Sequence, residues 1–392
     1  MNLRIAITGI GVVSAAGGNK KDTADSLRRG ERNAGTPSRF SSSLKYPVFE
    51  AKYTTAEKIS SRTNRSLNFL KTALNEALKA SDFVPGFNGK RCGVCIGTLL
   101  SNQLDSDDFY YSYKKDGLIS EADVRHFYAG DFTEIIAAEY GCTGPRCLIA
   151  NACSSGVDAI GAGMSLLRRG SCDIVIAGGV DELSGLILSG FKALGVASDE
   201  LCAPFDRDRK GLNLGEGAGI MILEREEDVL SRGIKPHLFA AGYGSACDAY
   251  HITAPLPGGE SLEFAIRRAL DEAGIIPEDI GFINAHGTAT IENDVIEGMV
   301  IDRVFGRGAT VLSTKGYTGH TLGAAGAIEA VFSAIGLEEG WLPASAGFVN
   351  KDDRIPFAPI NTITEVKKRF ALSISLAFGG TNGVIVLEHS LN

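Results

Sequence analysis

The strongest constraint in this sequence is that its second part repeats the plan of its first. Ile5-Ala-Ile-Thr-Gly-Ile-Gly11 resembles Leu238-Phe-Ala-Ala-Gly-Tyr-Gly244 in pattern. Each is followed farther on by a polar turn that opens a helix of small residues: Asn151-Ala-Cys-Ser-Ser-Gly156 in one part, Tyr317-Thr-Gly-His-Thr-Leu-Gly323 in the other. Such an echo reads as a duplicated structural unit. The two units are expected to meet near residue 235, after a strand ending at Glu224 and the charged connector Arg225 to Lys235, giving halves of residues 1–235 and 236–392.

Within each half, short β-branched runs alternate with helical spacing. Strands are predicted at Arg4 to Gly9, Val94 to Gly97, Asp173 to Gly178, Gly219 to Leu223, Leu238 to Gly242, Phe282 to Ala285, Ala371 to Leu376 and Val384 to Leu387. Helices are predicted over Lys71 to Ala80, Val157 to Arg169, Leu262 to Ala273 and Ala324 to Leu337. Strands apolar throughout, interleaved with helices, indicate an α/β fold whose sheets are buried on both faces.

Composition removes several function classes. A net charge of −8 supplies no overall basic field for a phosphate backbone, so nucleic acid is not an expected partner. Thr8, Gly9, Gly11 and Ser14 interrupt the N-terminal apolar stretch, and no later run could span a bilayer. Eight scattered cysteines without a secretory signal favour reduced thiols in a cytoplasm. Cys92 and Cys95 form a CxxC that Cys142 and Cys147 could complete as a zinc site. The first pair, however, lies in a buried strand rather than a turn and the second spacing is loose, so no metal is expected. Gly9-Ile-Gly-Val-Val-Ser14 imitates a dinucleotide-binding turn, yet Ser14 stands where the third glycine belongs.

Four segments carry chemistry. Cys153 sits between the apolar strand Cys147 to Ala150 and a helix rich in alanine and glycine, where N–H groups and the helix dipole favour a nucleophilic thiolate. His286, in Asn284-Ala-His-Gly-Thr-Ala-Thr290, follows a strand at its carboxyl end, where α/β sheets gather ligands; a histidine capping a turn fits equally well. Lys315 and His320 precede the small-residue helix that carries Glu329, and a lysine or glutamate beside an imidazole can fix its tautomer. Phe378-Gly-Gly-Thr-Asn-Gly383 is either a simple hairpin or a turn that offers N–H groups to an oxyanion.

In this order the segments resemble the Cys-His-His β-ketoacyl-[acyl-carrier-protein] synthases, and Cys202-Ala-Pro-Phe-Asp-Arg-Asp-Arg-Lys-Gly211 and Leu214-Gly-Glu-Gly-Ala-Gly219 match further segments of the elongating type. The resemblance covers essentially the whole chain. It implies the thiolase fold, a duplicated five-layered αβαβα arrangement, commonly a homodimer, with a heterodimer alongside a chain-length-factor-like subunit as the other form. It implies that Cys153 carries an acyl chain taken from an acyl carrier protein, that His286 and His320 activate the malonyl thioester for decarboxylation, and that Lys315 and Glu329 organise them. The N–H groups of Cys153 and Phe378 are expected to form the oxyanion hole, with Phe378 also a gate. Thr288 and Thr290 match pantetheine-binding positions. Ala377 departs from the usual glycine, which implies a stiffer gate. No cofactor is implied, because the phosphopantetheine arm arrives on the carrier protein.

An acidic enzyme receiving an acidic carrier needs a local basic landing site, for which Arg62 with Arg65 and the run Arg207, Arg209 and Lys210 are the candidates. A thiolase is the neighbouring alternative, but thiolases normally use a second, C-terminal cysteine, and here no cysteine follows Cys247. A non-catalytic chain-length factor is the other, and such subunits lack the nucleophile. Housekeeping fatty-acid synthesis and aryl-polyene or polyketide assembly fit the motifs equally.

Overall fold

A computed structural model of the protein describes residues 3–40, 42, 44–52, 65–100, 113–117, 121 and 131–390. Its main sheet has ten strands: β1 (Ile5–Val13), β2 (Cys92–Gly97), β3 (Arg146–Ile149), β4 (Ile174–Asp181), β5 (Gly217–Arg225), β6 (Leu238–Cys247), β7 (Ile280–Asn284), β8 (Val311–Leu312), β9 (Phe370–Leu376) and β10 (Thr381–His389). Their spatial order is β8-β7-β9-β10-β6-β1-β5-β4-β2-β3.

This order is one five-strand pattern used twice. In the first half β1 runs antiparallel to β5 and β5 to β4, whereas β4, β2 and β3 are parallel. In the second, β6 runs antiparallel to β10 and β10 to β9, whereas β9, β7 and β8 are parallel. Among the described residues, the two halves of the sheet join edge to edge through two residue pairs, Ile5 with Ala240 and Ala6 with Phe239.

The principal helices are α1 (Arg65–Ser81), α2 (Phe132–Tyr140), α3 (Ser155–Arg168), α4 (Gly185–Ala193), α5 (Glu260–Ala273), α6 (Ile291–Phe305) and α7 (Ala325–Glu339). Strand periodicity decides which layer each residue enters. Ile174, Ile176, Ile220 and Ile222 face outward into a core with Phe69, Leu70 and Leu74 of α1. Their neighbours Val175, Ala177, Met221 and Leu223 face inward, against Ile160 and Met164 of α3 and Ile328 and Val331 of α7. A third core sets Leu262 and Ile266 of α5 against Leu372, Ile374, Val384 and Val386. The layers therefore run helix, sheet, helix, sheet, helix, the expected five-layered α/β arrangement.

The two inner helices touch where side chains are smallest. A Cβ added at Gly156 would stand 2.8 Å from the Ala327 backbone nitrogen. Both begin alike: a single 3₁₀ turn precedes each, Ala152–Ser154 before α3 and Leu322–Ala324 before α7. Each turn opens on a non-glycine residue with positive φ, +48° at Ala152 and +57° at Leu322. By this correspondence Cys153 and Gly323 hold equivalent places in the two halves.

Every predicted strand and helix is present, several of them longer than expected. Helices α2, α4 and α6 were not anticipated from the sequence. The reason is clearest in α6, whose inward face carries Asn293, Asp294 and Glu297 and so breaks the apolar stripe.

Candidate active site

Cys153, His286 and His320 line one cavity of about 370 Å³, together with Thr288, Thr290, Phe191, Lys210 and Phe378. The site is assembled from loops of both halves at the carboxyl ends of the parallel strands. Cys153 follows β3, His286 follows β7, and His320 lies in the segment between β8 and α7. The two imidazole rings stand 5.3 Å apart at 88°.

Each imidazole has its Nδ1 nitrogen engaged. Lys315 Nζ lies 3.1 Å from Nδ1 of His286, and the Leu322 backbone N–H donates to Nδ1 of His320 at 3.2 Å. Burial drives both histidines well below the ordinary imidazole range, and the Lys315 charge acts in the same direction. Neutral rings accepting at Nδ1 carry their proton on Nε2, which leaves two N–H donors for the cavity.

Lys315 is buried, 1% exposed, and forms an ion pair with buried Glu329. Burial pushes the Glu329 carboxyl up to about 7 while the Lys315 charge opposes it. The resemblance implies that these two residues organise both histidines; Lys315 contacts His286 directly, and its charge acts on both rings.

The thiol departs from expectation. Cys153 is 6% exposed and burial pushes it up to about 11, against the opposing influence of the Phe378 N–H and the Lys315 charge. Loss of hydration thus opposes the thiolate that its place before a helix suggests. The Phe378 N–H lies near enough to the sulfur to favour its charged form, which sets that group beside the nucleophile. Phe378 stacks on Phe191 with ring centroids 5.8 Å apart, and Phe191 meets His320 edge-on at 6.4 Å. The Phe378-Gly-Gly-Thr turn links β9 to β10, with positive φ at Gly379 and Gly380. Thr288 and Thr290 lie with hydroxyls 2.9 Å apart on the cavity wall.

Three buried acids that sequence reasoning missed hold the loops. Glu297 accepts from the N–H groups of His286 (2.6 Å) and Gly287 (2.8 Å), and burial pushes it up to about 8. Asp181 accepts from Leu99, Thr98 and the Gly323 N–H, and Asp294 from Phe205 and Ala289; burial pushes each up to about 6.

The basic candidates separate. Arg62 lies outside the described residues. Arg65 is only 17% exposed and pairs with buried Glu216, so it faces inward. Arg209 has no exposed side-chain surface: it bonds Asp352 at 2.7 Å and the carbonyls of Asp206, Thr290 and Ile291, and lies 3.4 Å from Asp294. It is a clamp behind the cavity wall rather than a landing residue, because its five donors find acceptors only inside the protein. Arg207 and Lys210 are exposed, and Lys210 reaches the cavity. Cys92 and Cys95 share no site, since the first belongs to the outer core and the second to the central one.

The family description "Beta-ketoacyl synthase, N-terminal domain" matches residues 2–229, and its C-terminal counterpart residues 239–349. The chain is 32% identical over 408 residues to 3-oxoacyl-[acyl-carrier-protein] synthase 2 of Staphylococcus aureus (strain MRSA252), covering 99% of this chain and 98% of that one. Among solved structures, the ishigamide ketosynthase/chain length factor superposes with a TM-score of 0.92 at 29% identity over 100% of both chains. AntDE:AntF, a type II polyketide acyl-carrier protein in complex with its hexaketide-bound ketosynthase, gives 0.91 at 28%, again over 100% of both.

Proposed function

This chain belongs to the β-ketoacyl synthase family, and from that premise we propose that it condenses an acyl group held on Cys153 with a malonyl group delivered on an acyl carrier protein, releasing CO₂. The observation that carries the proposal is the convergence of one sulfur and two Nε2–H donors on a single cavity.

The first half-reaction exchanges thioesters. Cys153 sulfur bonds to the acyl carbon, the pantetheine sulfur leaves, and the thiol proton goes with it. The oxyanion of the tetrahedral intermediate is held by the N–H groups of Cys153 and Phe378, each such donor contributing roughly 3 kcal/mol. Phe378, stacked on Phe191, gates the acyl chain.

In the second half-reaction the malonyl thioester oxygen accepts from His286 and His320. Loss of CO₂ places the electron pair in an enolate stabilised by these two donors. The enolate carbon attacks the acyl thioester, and the Cys153 thiolate departs and is reprotonated. The donors act more strongly on the enolate than on the starting carbonyl, which is what lowers the barrier. Lys315 and Glu329 hold the His286 tautomer, and Thr288 and Thr290 line the passage for the pantetheine arm. The arm belongs to the carrier, so the protein needs no cofactor of its own.

The carrier protein docks at the cavity mouth, where Lys210 and Arg207 meet its acidic surface. We place the enzyme in the cytoplasm, acting as a dimer of two copies or with a chain-length-factor-like subunit. The exposed edge strand β3, which ends four positions before Cys153, supports a partner close to the site. Fatty-acid and polyketide or aryl-polyene elongation both use this chemistry.

Intact-mass measurement tests the core of the reading. An acyl carrier-protein thioester adds one acyl group to the wild type and none to Cys153→Ala, and unchanged labelling of that variant rejects it. His286→Ala keeps the acyl adduct and loses release of labelled CO₂.

A further inference from the structure

We propose that Tyr243 and Asp158 form a positioning latch by which the second half of the chain holds the nucleophile turn of the first. This latch presupposes Cys153 as the acyl carrier. Ala152, the residue before Cys153, is held at φ +48°, a conformation costly for a residue with a side chain. Such a conformation persists only where surrounding bonds fix it. Here Ser155 Oγ accepts from the Asn151 N–H at 2.8 Å and donates to the Ala152 carbonyl at 2.6 Å, and the side chains on either side of Ala152 and Cys153 converge on one carboxylate on the first turn of α3.

Asp158 Oδ2 accepts from Asn151 Nδ2 at 2.9 Å and from Ser154 Oγ at 2.8 Å, two residues that flank Ala152 and Cys153 on either side. Its other oxygen, Oδ1, accepts from the Tyr243 hydroxyl at 2.6 Å. Tyr243 lies on β6, in the other half. Its ring reaches Asp158 only because position 161 has no side chain: a Cβ there would stand 2.6 Å from ring carbons of Tyr243. The tyrosine is thus the one cross-half donor to a carboxylate that otherwise serves the turn itself, among the described residues.

Neither residue lines the catalytic cavity, so both act through the turn rather than on substrate. The histidine pair, which is held by Lys315 and the Leu322 N–H, makes no use of the latch. The two half-reactions should therefore separate. Removing the Tyr243 hydroxyl frees one side of Asp158, lets the Ala152 turn relax, and moves Cys153 relative to the Phe378 N–H, which slows acylation without touching decarboxylation.

The experiment compares wild type, Tyr243→Phe and Asp158→Asn in two assays: the rate of acyl transfer from acyl carrier protein to Cys153, followed by intact mass, and the release of labelled CO₂ from malonyl carrier protein without an acyl donor. The expected result is about a tenfold slower acylation in both variants with CO₂ release unchanged. If Asp158→Asn does not fold, Tyr243→Phe, which deletes one hydroxyl, carries the comparison alone. Acylation at the wild-type rate overturns the latch, and so does an equal fall in both assays, which would mark the pair as general support of the fold. A wild type that accepts no acyl group at all would instead defeat the proposed function, so the two failures are distinct.

Discussion

Lys315 Nζ lies 3.1 Å from the Nδ1 nitrogen of His286 and is at the same time paired with Glu329, all three side chains being buried. One ammonium thus fixes the tautomer of an imidazole and compensates a carboxylate that burial has pushed up to about 7. It adds a positive charge next to a ring that must stay neutral, and so favours the donor form of Nε2.

Replacing that lysine separates its two tasks. In Lys315→Met the His286 ring loses the donor that set its tautomer, and CO₂ release from malonyl carrier protein falls by about 10²-fold while acylation of Cys153 stays within a few-fold. The Glu329 carboxyl loses the charge that opposed burial and goes over to the neutral acid at pH 7. The drop in stability, read from urea unfolding, therefore stays below the roughly 3–5 kcal/mol of an ion left bare in a protein interior.

The ionisation of the nucleophile is checked by pH. Alkylation of Cys153 by iodoacetamide, followed by mass from pH 7 to 11, rises with pH as the thiolate fraction grows. The burial shift puts its midpoint near 11, above that of an ordinary thiol. A midpoint below 8 would show that the helix end outweighs burial at this sulfur.

Two neighbouring cations should behave as opposites. Arg209→Ala leaves Asp352 and Asp294 without their buried partner and lowers stability by about 3–5 kcal/mol, with little dependence on salt. Lys210→Glu leaves the unfolding curve unchanged but raises KM for the carrier protein several-fold. That effect shrinks as ionic strength rises, whereas kcat is kept.

These residues also show what a sequence reveals and what it hides. The cysteine was legible from its own turn of glycine and serine, which serves poorly as core, whereas His286 fitted a turn cap equally well and the roles of both histidines, Lys315 and Glu329 came with the family resemblance. The duplicated α/β plan was legible too, from the repeated strand starts and the two small-residue helices, whereas the five layers came with the family resemblance. Arg209 was misread because a Asp-Arg-Asp-Arg-Lys run looks like a solvated face. Its acceptors, Asp352 and the carbonyls of Thr290 and Ile291, come from segments far along the chain. Glu297, Asp181 and Asp294 were invisible because acidic residues normally face water: the N–H groups that justify burying Asp181 and Asp294 come from loops of both halves, and those for Glu297 from the fold of the His286 loop. The burial that bears on the ionisation of Cys153 was hidden differently. Its address was right, but the depth at which it is buried is a property of the assembled cavity.

The contact between Gly156 and Ala327 acts as a gauge for the chemistry. One residue lies on the helix that follows the sulfur and the other on the helix that follows His320, so the distance across which a new carbon–carbon bond must form is set by how near two backbones can come. A single hydrogen in place of a methyl group at position 156 keeps that span short.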